Sequence, residues 1–300
     1  MFCMTRFGQM GRLGNQLFQY AFLRTVARRH GTHFYCPGWI GDRVLTLEDA
    51  AERAPTAERV HVFHDLRLKY HPEAECAPDG TDYDGNFESW RYFTTTEPEV
   101  RRWYSFRPEM TSRVREKYAG LELPQMTCFH LRFGDYCTFP TKLAFFTPGA
   151  AYYRQAVAML APRRVAVFSD DMQSARARLA GLPVELVFID GNECWEDLYL
   201  MTQCKNHVVS ASTFSWWGAW LSSVPGKRVI HPAEGRFRPG SWSDNPDLYP
   251  SEWARLPALS NSITEKYWFL KLQHRMLDAP AMAGQVLRRV GRGLRRRLCR

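Results

Sequence analysis

The 300-residue chain (34.9 kDa) can bury two hydrophobic cores, and its 45% hydrophobic and 24% charged residues are an ordinary globular balance. That excludes disordered, collagen-like and disulfide-scaffold classes, and no run approaches the roughly 18 consecutive apolar residues of a membrane-spanning helix. The net charge of +9 is concentrated at one end: residues 288–300 hold seven arginines and no acid, so the body carries only +2, which excludes a nucleic-acid-binding face spread over it.

Residues 1–14 lack a long apolar segment and are interrupted by Arg12, so neither a secretory signal nor an anchor is expected there. On that reading the chain is cytoplasmic. Its 8 cysteines include no Cys-x-x-Cys pair and read as reduced thiols, not disulfides or a zinc ribbon. A strand is predicted at 2–7, then a glycine-punctuated turn and a helix at 16–30, with apolar residues at 17, 18, 21, 22 and 26 and Gly31 as its stop. A strand follows at 60–63, and 97–118 is helical with a break at Pro108. Beyond Pro124, strands at 127–131, 165–168, 184–189, 207–209 and 228–230 alternate with helices at 149–160, 172–179, 194–204 and 216–222. Residues 232–257, rich in Pro, Gly, Ser and Trp, read as irregular, and a last helix is expected at 263–277. This alternation predicts an α/β fold of parallel sheets in two doubly wound halves, 1–120 and 124–258, followed by a helix and basic tail over 259–300.

Four segments carry chemistry. Gly8, Gly11 and Gly14, with Asn15 behind them, join a strand to a helix. Bare N–H groups and a positive helix end suit a diphosphate there, and a tight turn without ligand is the equal alternative. The spacing is not Gly-x-Gly-x-x-Gly, and Phe34, Tyr35 and Cys36 stand where a dinucleotide fold would place its ribose-binding acid, which disfavours a nicotinamide enzyme. His130 and Arg132 leave a strand end on one side, close to Asp135. The arginine fork matches a phosphate bidentately; the alternative is an Arg132–Asp135 pair that only fixes the turn. Asp170 and Asp171 end the next strand, where a carboxylate can accept guanine's two adjacent donors or cap a helix. Ser212, Thr213 and Phe214 open a further helix, either as a second phosphate grip or as a cap, ahead of Trp216, Trp217 and Trp220, which read as core.

Asp82 and Asp84 form an Asp-x-Asp pair in a glycine-flanked polar stretch, read as a turn rather than a metal site, and no metal is expected elsewhere. In the tail, Val286, Val290, Leu294 and Leu298 recur among arginines. That basic amphipathic pattern suits an anionic membrane surface, and a solvated disordered tail is the alternative.

Segments 11–21, 85–93, 130–136, 168–171, 196–205 and 212–221, in this order, resemble the α-1,2-fucosyltransferases of glycosyltransferase family 11, over roughly residues 6–232. The resemblance implies a GT-B-like architecture, two Rossmann-like domains facing a cleft. It further implies GDP-L-fucose as donor, inversion at the anomeric carbon, no metal or other cofactor, and a galactose-terminated cell-surface glycan as acceptor. By motif position, Gly14 and Asn15 face the diphosphate and Arg132 holds the β-phosphate. His130 with Asp170 or Asp171 holds guanine, and Ser212, Thr213 and Phe214 line the phosphates. Phe133 stands where the family carries a second arginine, and Glu88 replaces its usual glutamine. Without a metal, Arg132 and aimed N–H groups stabilise the departing GDP, and Asp135 either accepts the acceptor proton or orients Arg132. The rival readings are transfer of another GDP-sugar or fucose linkage, and a non-catalytic adaptor working through the arginine tail.

Overall fold

Short strands, buried in the middle of each sheet and more exposed at its edges, alternate with helices that fold back over them, so the strand pairs come out parallel. The computed structural model describes residues 1–9, 11–65, 69–139, 141–237 and 245–258; the helix expected at 263–277 and the arginine tail lie outside them. Strands β1 (Phe2–Cys3), β2 (Phe34–Tyr35), β3 (His61–His64) and β4 (Thr81–Asp84) form one sheet in the order β2-β1-β4-β3. Helix α1 (Leu13–Arg29) connects β1 to β2, and α2 (Ile40–Val44) and α3 (Pro72–Glu75) are short. Helices α4 (Glu97–Trp103) and α5 (Pro108–Lys117) lead on to the second half, broken at Pro108 as the sequence predicts.

There β5 (Thr127–Leu131), β6 (Arg164–Ser169), β7 (Glu185–Phe188), β8 (Asn206–Val208), β9 (Val229–Pro232) and β10 (Ala254–Leu256) form the second sheet, β10-β9-β8-β5-β6-β7. Its helices are α6 (Ala150–Leu160), α7 (Met172–Leu179), α8 (Cys194–Thr202) and α9 (Thr213–Leu221). The expected α/β architecture of two parallel sheets is present, with both sheets inside one compact unit, Met1–Ala258.

Both sheets reverse direction beside their first strand. The chain leaves β1 for β2 on one side and returns through β3 and β4 on the other; it leaves β5 for β6 and β7, then crosses to β8 on the opposite flank. In parallel sheets a crevice opens beyond the strand ends at such a switch point. The two reversals bring residues 11–15 and Asn86 to one cavity with Arg132, Asp135, Tyr136 and residues 212–214.

A shared core holds this arrangement. Helix α1 is buried along most of its length, and its buried polar side chains are partnered: Asn15 donates to Glu88, Gln19 to the Gly85 carbonyl and Arg24 to Glu52 and the Glu48 carbonyl. Its Phe18 packs against Trp216 and Trp217 of α9, ring centroids 4.7 and 4.9 Å away, which confirms those tryptophans as core.

Some sequence expectations fail: the stretch 232–257 read as irregular ends in strand β10, paired with β9, and Asp82 and Asp84 lie in β4, not in a polar turn. Tyr83 fills the core between them while Asp82 is buried against Thr5, whose N–H and hydroxyl donate to its carboxylate at 2.8 and 2.6 Å. The same pair of bonds turns the chain at Thr5, so the strand expected over 2–7 ends at Cys3.

Candidate active site

Helix α1 starts without a side-chain cap and without an acid in its first turn. Its leading N–H groups and positive end are therefore directed at whatever fills the crevice. Gly14 is a packing requirement: a Cβ there would lie 2.5 Å from the Phe214 nitrogen and 2.7 Å from Thr213 Oγ1. The start of α9 thus meets the start of α1, fastened by Trp217 Nε1 donating to the Gly14 carbonyl at 3.0 Å. Asn15 is a strut in the same wall. Its Oδ1 accepts from Thr213 Oγ1 at 3.1 Å and its Nδ2 donates to Glu88 Oε1 at 2.5 Å. Ser212 is the N-cap of α9, accepting from the Phe214 N–H.

The end of β5 supplies the opposite wall. The backbone alternation puts His130 and Arg132 on one side of the strand end. Burial, helped by the Arg132 charge, pushes His130 down to about 3, so its ring is neutral; Nδ1 lies 2.9 Å from Ser210 Oγ. Arg132 is gripped by two carboxylates, Nη2 on Asp135 Oδ1 at 2.5 Å and Nη1 on Asp170 Oδ2 at 2.7 Å. Arg12 approaches the same Asp135 oxygen at 3.8 Å. The structure therefore places Asp135 as a partner of arginines at the cleft.

Two sequence-predicted residues sit differently from expectation. Asp170 spends one oxygen on Arg132 and the other on the Phe133 N–H, 2.9 Å away, so its carboxylate braces the β5 loop. Gly134 is needed beside it, since a Cβ would lie 2.4 Å from Asp170 Oδ2. Asp171 does not line the cavity: it caps α7, accepting from the Ser174 N–H at 2.9 Å and hydroxyl at 2.6 Å. The capping alternative holds for Asp171, because the chain turns into the helix there and faces its side chain along the axis.

The cavity between the walls has a volume of about 460 Å³, within the range of small-ligand sites. Gly14, Asn15, His130, Arg132, Asp135, Asp170, Ser212, Thr213 and Phe214 all line it. Several lining residues escaped the sequence reading. Asn192 and Asp197 stand where β7 runs into α8, and burial raises the Asp197 carboxyl to about 6 despite a 2.8 Å bond from Asn192 Nδ2. An acid in the first turn of a helix that follows a strand was the available signal. Arg236 is buried in the segment read as irregular and pairs with fully buried Glu88, whose Oε1 also holds Asn15. Burial opposes the Arg236 charge, and the Glu88 carboxylate more than offsets it. Among the described residues no group of three or more His, Cys, Asp and Glu could hold a metal, and no helix is long and apolar enough to cross a membrane.

Paired switch points, two converging helix starts and the arginines Arg12 and Arg132 give this α/β protein a crevice whose charge and N–H groups suit a phosphorylated ligand. The chain belongs to glycosyl transferase family 11, whose model matches residues 4–254. It is 36% identical over 114 residues to the O-antigen biosynthesis glycosyltransferase WbnK of Escherichia coli, covering 35% of this chain and 37% of that protein. It is 28% identical over 232 residues to galactoside alpha-(1,2)-fucosyltransferase 1 of Lagothrix lagotricha, covering 71% and 63%. The chain thus spans less than two thirds of the length of either relative. Among solved structures it is similar to POFUT1 in its apo form, at 11% identity and a TM-score of 0.49 over 77% of this chain and 97% of that one.

Proposed function

We propose that this protein transfers L-fucose from GDP-β-L-fucose to the 2-hydroxyl of a terminal galactoside in a cell-surface glycan, with inversion. The convergence of the α1 and α9 starts with Arg132 on one crevice carries this reading, and family membership and the names of both relatives support it.

The chemistry follows from charge. As GDP departs, negative charge grows on the β-phosphate while the sugar becomes oxocarbenium-like. Two helix ends and a guanidinium held by Asp135 and Asp170 are in place before that charge develops, so little reorganisation is needed. In this reading they meet the leaving-group charge without a divalent ion. The oxygens of Asp82 are already taken by Thr5 and Arg59. At the nucleobase end, the Asp197 carboxylate can accept the adjacent ring N–H and amine of guanine, with neutral His130 as a further polar contact. Half-exposed Asp135 is the carboxylate open to an entering hydroxyl, and holding Arg132 is the larger part of its work.

Incubation with GDP-fucose and a β-galactoside in EDTA should give a product heavier by one deoxyhexose, with an α-1,2 linkage by NMR. Transfer from GDP-mannose instead, or transfer that needs added Mn²⁺, would refute the reading.

A further inference from the structure

The cleft contains one donor and one acceptor that find no partner among the described residues. Arg236 is 7% exposed, and its Nε finds no hydrogen-bond partner among the described residues. The Oδ1 of Asn86, also in the cavity lining, is buried and equally unpartnered. Buried polar groups are seldom left this way, and each orphan costs its full desolvation. The two belong to one corner: Asn86 lies two residues before Glu88, whose carboxylate grips Arg236. Beside them Tyr136 and Phe145 stack at 4.4 Å, and the Arg236 guanidinium lies 5.2 Å from the Phe145 ring. A free donor, a free acceptor and an apolar wall match a ring bearing hydroxyls, each of which both donates and accepts.

Sheet order says which part of the ligand arrives there. Along the carboxyl edge, the β9 loop with Arg236 is followed by the β8–α9 turn, then β5 with Arg132, β6 with Asp170 and the β7–α8 turn with Asp197. Strands are about 4.8 Å apart, so the ends are separated by roughly 19 Å, with the phosphate-binding helix starts between them. A nucleotide-sugar with its base at Asp197 extends its sugar toward Arg236.

We propose that Asn86 and Arg236 form the subsite for the transferred sugar. Asn86 Oδ1 accepts from one hydroxyl, Arg236 Nε donates to a sugar oxygen, and Glu88 is the positioning residue that holds Arg236. This rests on the nucleotide-sugar reading above. The test is calorimetry on the full chain with GDP-fucose and with GDP, for Asn86→Leu and for the double variant Glu88→Gln/Arg236→Gln, which leaves no buried charge unpaired. Each variant should weaken GDP-fucose at least tenfold while GDP stays within threefold and the melting temperature within a few degrees. A donor lacking the contacted hydroxyl should bind parent and Asn86→Leu alike. Parallel loss of GDP affinity, or unchanged GDP-fucose affinity, would overturn the subsite. A parent protein that ignores GDP altogether would overturn the nucleotide-sugar reading instead.

Discussion

The two walls of the cleft do their work by different means. Apart from Arg12, the N-terminal wall offers main-chain N–H groups and amides, from Gly11 to Asn15 and at Asn86, and these are positioned by the α1 core. The C-terminal wall offers ionised and hydroxyl side chains, held by other side chains: Arg132 by two aspartates, His130 by Ser210, Thr213 by Asn15. A dipole fixed by packing is rigid and hard to remove one atom at a time. A charge held by partners is stronger and can be deleted singly.

That contrast breaks most sharply at Arg132. Arg132→Ala should cut turnover at least 100-fold (about 2.7 kcal/mol) with the fold intact by circular dichroism. On the other wall the damage should be structural. Gly14→Ala pushes a Cβ to 2.5 Å from the Phe214 nitrogen, a backbone atom, and should cost about 1–3 kcal/mol in denaturant unfolding, with turnover lost alongside.

Asp197 sharpens the comparison through pH. Its native value near 6 lies above its unfolded value near 4, so its contribution to stability is full below about 4 and is lost as pH rises through about 6. Nucleotide binding needs the carboxylate and runs the other way. GDP affinity should fall as pH drops below about 6, and Asp197→Asn should flatten both profiles. The smallest effect belongs to Asp171, a helix cap outside the cavity: Asp171→Ala should lower the melting temperature by a few degrees and leave the donor KM unchanged.

Much of this was legible in the sequence because it is local. Alternation along β5 separates His130 and Arg132 from Leu131, and the spacing at 17, 18, 21 and 22 marks α1. What was hidden depends on partners far along the chain. The Thr-Asp-Tyr-Asp segment looks like a turn until Thr5 and Arg59 satisfy Asp82 within the sheet. Adjacent Asp170 and Asp171 are equivalent as letters, and only the direction of the chain into α7 makes one a brace and the other a cap. Arg236 is 148 residues from Glu88, in a segment without periodicity, so no pattern joins them.

The central claim is that fixed N–H groups and Arg132 clasp a nucleoside diphosphate. Titration of GDP into the purified chain in EDTA at pH 7.5 measures it directly. The account predicts one GDP bound per chain, with binding sharply weakened in Arg132→Ala. An absence of heat, or binding that appears only with an added divalent ion, would contradict it.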